Sequence, residues 1–202
     1  MTRTVEFFFD FISPFGWLAS QRIDGLAARY GYDARWQSML LGVSVLKVMG
    51  MKPLRQYPMK GDYLKCDLLR YMRRHGIRMG RDLETPPANP LAAGRAFHIV
   101  DAVDPALAKA VARSLLDAYW VEGRDIGDPA LVIDVAAGAG ADKAGLSEAL
   151  ANGEGDRLLR AAVDRSITRA VFGSPFFIVG DEPFFGLEKM ELLEEWLSSG
   201  GW

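Results

Sequence analysis

Residues 4–11 (Thr4-Val5-Glu6-Phe7-Phe8-Phe9-Asp10-Phe11) are aromatic and β-branched, which predicts a buried strand. Ser13-Pro14 follows, with serine available as a cap and proline at the first helical position. Phe15, Leu18, Ala19, Ile23, Leu26, Ala27 and Tyr30 then recur at helical spacing and predict one helix ended by Gly31. A second short strand is expected over 33–38. In the middle of the chain, Leu64, Leu68, Tyr71 and Met72 share one helix face, and Thr85-Pro86-Pro87-Ala88-Asn89-Pro90 breaks the pattern. Asp104-Pro105 and Asp128-Pro129 each start a helix, the first with Leu107, Val111, Leu115, Ala118 and Tyr119 along one side. Leu159, Val163, Ile167 and Val171 form a further stripe closed by Gly173. The tail returns to strand at Phe176-Phe177-Ile178-Val179, turns at Gly180-Asp181-Glu182-Pro183 and continues at Phe184-Phe185. A last helix over 188–197 buries Met190, Leu193 and Leu197.

The order is β-α-β, a long helical block, then β-β-α. Two β-rich ends around a helical block make one interrupted sheet, an α/β thioredoxin-like fold with a large all-helical insertion. The expected division is a discontinuous thioredoxin-like domain, 1–41 and 166–202, and an insertion over 42–165.

Composition narrows the functions. Half of the 202 residues are hydrophobic, so the chain can bury a real core. With 24 basic and 26 acidic residues it carries no global field for nucleic acid. One cysteine, Cys66, excludes an internal disulfide, fits a reducing compartment and reads as a packing residue in a helical pattern. His75 and His98 lack metal-ligand spacing, so no metal site is expected. Acidic residues interrupt the one early apolar stretch, and no apolar run is long enough for a bilayer. A soluble cytoplasmic protein without a membrane partner is the expectation.

Three features could carry chemistry. Ser13 lies between a strand end and a helix start, where unpaired amides favour an anion. A simple helix cap is an equal alternative from position alone. Pro175 opens an apolar strand, where it removes a ladder donor; a cis Ser174–Pro175 bond would explain it and leave backbone groups free for an extended peptide. A proline that merely starts a strand is the plainer alternative. Gly186 stands between a strand and a helix, with Glu188 in the first turn, as either a solvated helix start or a clamp for the charged end of a small peptide.

Together these stretches resemble a known family. Phe9-Asp10-Phe11-Ile12-Ser13-Pro14-Phe15, Leu40-Leu41-Gly42, Pro87-Ala88-Asn89-Pro90 and Val171-Phe172-Gly173-Ser174-Pro175-Phe176-Phe177 with Phe185-Gly186 span nearly the whole chain. They are similar to 2-hydroxychromene-2-carboxylate isomerases and kappa-class glutathione transferases, members of the thioredoxin-fold group that includes the DsbA oxidoreductases. In redox members of that fold two cysteines occupy the turn; Ser13-Pro14-Phe15-Gly16 has neither. The resemblance implies glutathione as cofactor, bound extended beside Ser174 and Pro175, with its γ-glutamyl end at Phe185, Gly186, Leu187 and Glu188. It places the sulfur over Ser13, which would stabilise the thiolate. Lys47, Met51, Lys52 and Asn89 would approach the second substrate, a small aromatic carboxylate. Relatives usually carry a small polar residue and aspartate where Leu187-Glu188 stand here, and an asparagine at Met51.

The implied activity is glutathione-dependent cis-trans isomerisation of 2-hydroxychromene-2-carboxylate or a similar unsaturated intermediate of aromatic degradation, in a homodimer. A kappa-like transferase conjugating electrophiles and a non-catalytic peptide-binding module are the alternatives.

Overall fold

The computed structural model describes residues 3–202. Strands β1 (Arg3–Phe9) and β2 (Tyr32–Ser38) flank helices α1 (Pro14–Ser20) and α2 (Ile23–Arg29). A π-helical stretch, Gly42–Val48, and a short 3-10 turn, Leu54–Gln56, lead into α3 (Lys60–His75). Then come α4 (Leu91–Asp101), α5 (Pro105–Trp120), α6 (Pro129–Gly138), α7 (Lys143–Ala151) and α8 (Glu154–Thr168). The chain closes with β3 (Phe176–Val179), β4 (Glu182–Phe185) and α9 (Met190–Ser199).

The strand order is β2-β1-β3-β4. β1 and β2 run parallel, which requires the helical crossover between them, and β3 and β4 add antiparallel. This is a thioredoxin-like sheet interrupted by helices, as the element order predicts.

Side-chain alternation along β1 divides the core. Phe7 lies between Trp36 of β2 and Phe177 of β3, with ring centroids 5.1 and 5.4 Å away. Phe9 meets Phe97 of α4 edge-on at 5.5 Å, which anchors the helical block to the sheet. Phe8 points to the opposite face and packs with Met39, Val171, Phe176 and Ile178. Within the helical block α4 is the hub, packed against α5, α6, α7 and α8.

Several sequence expectations are corrected. The helix expected from Ser13 to Gly31 is two helices. The Ser20 hydroxyl donates to the Trp17 carbonyl at 2.6 Å, the acceptor that the fifth residue of a continuing helix would use. The Arg22 amide turns back to Ala19, and α2 starts anew with Leu26 N–H on the Arg22 carbonyl. The helix expected to carry its stripe through Val171 to Gly173 ends at Thr168, as α8. Ala170 follows with φ of 55°, so Val171 leaves the helix stripe and packs under the sheet. Cys66 is exposed on α3 and is no packing residue. Helices α4 and α7 carry no counterpart among the expected elements.

Candidate active site

Ser13 caps α1. Its hydroxyl oxygen accepts the Gly16 amide at 3.1 Å, so the cap is real. The same hydroxyl donates to the carbonyl of Ser174, 161 residues away, at 3.0 Å. The Ser174 hydroxyl oxygen in turn accepts the Asp10 amide at 3.0 Å. These bonds join the end of β1, the start of α1 and the loop before β3. Ser13 is only 4 % exposed, so its hydroxyl serves as a directed donor, not as a solvent-exposed group.

The loop before β3 carries a cis Ser174–Pro175 bond. The Pro175 carbonyl accepts the Gly186 amide at 3.0 Å, which draws the Gly186 turn alongside. Gly186 has φ of 107°, a conformation that side chains rarely adopt. The Glu188 carboxylate folds over its α-carbon, at the place a side chain would fill. Phe185 and Glu188 are exposed there, and Phe185 rests on Phe172 and Phe176. The Leu187 side chain instead belongs to the core.

Gly16 is where the second sulfur of a redox pair would stand. A Cβ there would lie 2.5 Å from the Ser174 hydroxyl and 3.2 Å from the Ser13 Cβ. A side chain at Gly16 would have to displace the Ser174 hydroxyl from its place beside the Asp10 amide, and the single cysteine of the chain, Cys66, lies elsewhere on α3.

Asp10 is a residue that motif spacing does not single out. It is fully buried, and its carboxylate accepts the Ile12 amide at 3.1 Å and the Leu41 amide at 2.7 Å. Burial pushes its pKa up to about 6, against the pull of those two bonds. Asp10 interrupts the phenylalanines Phe7, Phe8, Phe9 and Phe11, but that pattern does not say what its carboxylate would meet.

Among the described residues, none of the second-substrate candidates hydrogen-bonds to Ser13, Ser174 or Gly186. Lys47 is exposed on the π-helical stretch, where among the described residues it makes no ion pair. Met51 is half-buried, and the Lys52 amide donates to the Tyr57 hydroxyl at 3.3 Å. Asn89 is exposed; its Oδ1 accepts the Leu91 amide at 3.1 Å at the start of α4, which leaves its amide NH2 to donate elsewhere. Hydrogen bonds connect this loop toward Ser13. The Ala88 amide donates to the Tyr119 hydroxyl at 3.0 Å, and the neighbouring Trp120 indole donates to the Phe11 carbonyl at 3.0 Å. Burial raises the Tyr119 pKa, and the Asp10 charge adds to that rise.

Neither histidine joins the site. His75 stacks on Tyr71 at the surface, and His98 is buried with its Nε2 3.0 Å from the Ser38 hydroxyl.

Comparison with known proteins agrees with this architecture. Residues 4–198 match the DSBA-like thioredoxin domain. The chain is 30% identical over 191 residues to a 2-hydroxychromene-2-carboxylate isomerase of Pseudomonas putida, covering 94% of this chain and 92% of that protein. It is 27% identical over 213 aligned positions to glutathione S-transferase kappa 1 of Homo sapiens, covering 98% and 94%. A solved structure of a 2-hydroxychromene-2-carboxylate isomerase superposes with a TM-score of 0.81 at 29% identity, covering 97% of this chain and 95% of that one.

Proposed function

The chain belongs to the DSBA-like thioredoxin domain family and, within it, to the 2-hydroxychromene-2-carboxylate isomerases and their kappa-class glutathione transferase relatives; from that premise we propose that it is a glutathione-dependent cis-trans isomerase in which Ser13 stabilises the glutathione thiolate. The observation that carries this reading is the Ser13 hydroxyl donating to the Ser174 carbonyl at 3.0 Å. It sets the one hydroxyl of the α1 start against the backbone that an extended peptide would pair with.

Glutathione would lie along Ser174 and Pro175, with its γ-glutamyl end at Phe185, Gly186, the Leu187 backbone and Glu188. Its cysteinyl N–H would take the Ser174 carbonyl. The Ser13 hydroxyl, released from that acceptor, would turn its proton to the sulfur. A free thiol has a pKa of about 8.5 and is only slightly ionised at neutral pH. A donated bond to a charged acceptor is worth about 1.5–3 kcal/mol, enough to lower the thiol by one to two units. Pro14 has no amide and the Gly16 amide is spent on Ser13, so the Ser13 hydroxyl would be the directed side-chain donor, beside the Phe15 amide of the same turn.

The thiolate would then add to a conjugated carbon of the substrate, turning a double bond into a single bond that rotates. Elimination of the same sulfur re-forms the double bond in the other geometry and returns glutathione unchanged. Lys47 would pair with the substrate carboxylate, and the Asn89 NH2 would donate to a carbonyl, with Met51 and Lys52 alongside.

Ser13→Ala tests the reading. Turnover is expected to fall about 10- to 100-fold, the loss of one charge-assisted hydrogen bond. A variant within a few-fold of wild type would sink the thiol-stabilising role. Glutathione at 100 times its dissociation constant should add about 2.7 kcal/mol of stability, read as a thermal shift. Total thiol stays constant for an isomerase and declines for a transferase; the latter is the second reading, favoured by the similarity to the human kappa enzyme.

A further inference from the structure

Asp10 follows β1 directly, with no exposed surface and no cation within ion-pair reach among the described residues. Burying a carboxylate is costly unless hydrogen bonds replace its water. Here two backbone amides do so, Ile12 at 3.1 Å on one oxygen and Leu41 at 2.7 Å on the other. Its own backbone extends the set: Asp10 O accepts the Ser13 amide at 3.0 Å, and Asp10 N donates to the Ser174 hydroxyl at 3.0 Å. Three segments therefore meet on one residue: the turn that presents Ser13, the first residues after Ser38 that enter the helical insertion, and the loop before β3.

We propose that Asp10 is a positioning residue of the Ser13 site, its buried carboxylate locking the Ser13 turn to the start of the helical insertion so that the hydroxyl points at the thiol. The inference rests on the glutathione reading of Ser13. Only a carboxylate supplies two acceptors without a donor; an asparagine would turn its NH2 toward one of the two amides. Its pKa of about 6 leaves the carboxyl mainly ionised at neutral pH, able to accept both bonds, and Tyr119 of α5 is the titratable group that senses its charge.

Asp10→Asn in the full chain is the test, with two probes. S-methylglutathione has no ionisable thiol and reports the backbone contacts alone; its dissociation constant should stay within about threefold, since Asp10 N–H, Ser174, Pro175 and Gly186 are intact. The thiolate absorbance of bound glutathione reports Ser13 alignment; the bound thiol pKa should rise by about one unit, a tenfold loss of thiolate at neutral pH. Removal of a negative charge by itself works the other way and would lower that pKa. A bound-thiol pKa that falls or does not move overturns the proposal.

Asp24→Asn, which removes the Lys109 and Arg113 ion pairs of α2, is the control for lost stability. It should leave the bound-thiol pKa at the wild-type value, and an equal rise in this control overturns the positioning role. Should Asp10→Asn fail to fold, Leu41→Pro removes one of the two carboxylate hydrogen bonds from the other side with Asp10 in place. Leu41 has φ of −56°, which suits a proline ring. It should raise the bound-thiol pKa as Asp10→Asn does, and a wild-type value overturns the proposal. A wild-type chain that does not bind glutathione, or whose thiolate signal survives Ser13→Ala, overturns the glutathione reading and this inference with it. Binding and Ser13 dependence without any Asp10 effect overturn this inference alone.

Discussion

At Gly16 a single methyl group decides whether the site can close. The added carbon of Gly16→Ala would stand 2.5 Å from the Ser174 hydroxyl, which holds the Asp10 amide. The variant is expected to lose about 1–3 kcal/mol of stability by overpacking, read from the urea midpoint, and to bind glutathione more weakly. Wild-type stability and affinity would mean that the loop before β3 yields freely. Ser13, Ser174, Pro175 and Gly186 were legible at this scale because serine before proline and glycine after a strand are local signals. Asp10 was not, because its bond to the Ile12 amide is a local turn open to any aspartate, whereas the Leu41 amide that satisfies its other oxygen lies beyond a whole crossover. Leu187 follows the same logic: its neighbours suggest a ligand clamp, and the packing of α9 turns its side chain inward.

Among the elements, the clearest signals were the caps. Asp104 accepts the Ala106 and Leu107 amides at 2.9 and 3.0 Å, and Asp128 accepts Ala130 at 2.9 Å, each before a proline. Asp104→Ala should cost about 1 kcal/mol, seen as a lower denaturant midpoint with turnover per folded molecule unchanged. A midpoint equal to wild type would show that tertiary packing alone sets the start of α5. Strands β1 and β3 were also legible, since aromatic and β-branched runs suit a sheet buried on both faces. Helix α4 was harder to read. It is packed on most sides, with Ala92, Ala93, Ala96, Phe97 and Val100 all buried, so it shows no polar face to set a period. The break between α1 and α2 escaped the periodic pattern because the apolar spacing of Leu18, Ala19, Ile23 and Leu26 continues across it.

Over the whole molecule, two buried groups titrate in opposite senses. Burial, with the nearby Arg165 and Arg35 charges, lowers the His98 pKa from 6.5 to about 4, against its bond to Ser38. The unfolded chain then holds more protons between those values, so stability from His98 is complete above 6.5 and is lost as pH falls toward 4. Asp10 is raised from 3.8 to about 6, so its contribution is complete below 3.8 and is lost as pH rises through 6. Urea unfolding at about pH 7, 5 and 4 separates them. Relative to wild type, His98→Gln should gain stability on acidification by up to about 3 kcal/mol, and Asp10→Asn should lose it. Parallel curves for wild type and both variants would show that neither group titrates abnormally. The sequence by itself determined the order of elements, the helix starts and the serine on its turn, because these follow from propensities and hydrogen bonds within a few residues. Only the tertiary structure decided that the Ser13 hydroxyl faces Ser174, that Asp10 lies buried beside both, and that the Ser174 hydroxyl stands where a side chain at Gly16 would go. Those relations join residues up to 164 positions apart, and they depend on which surfaces lose water together, a property of the packed chain that no local pattern carries.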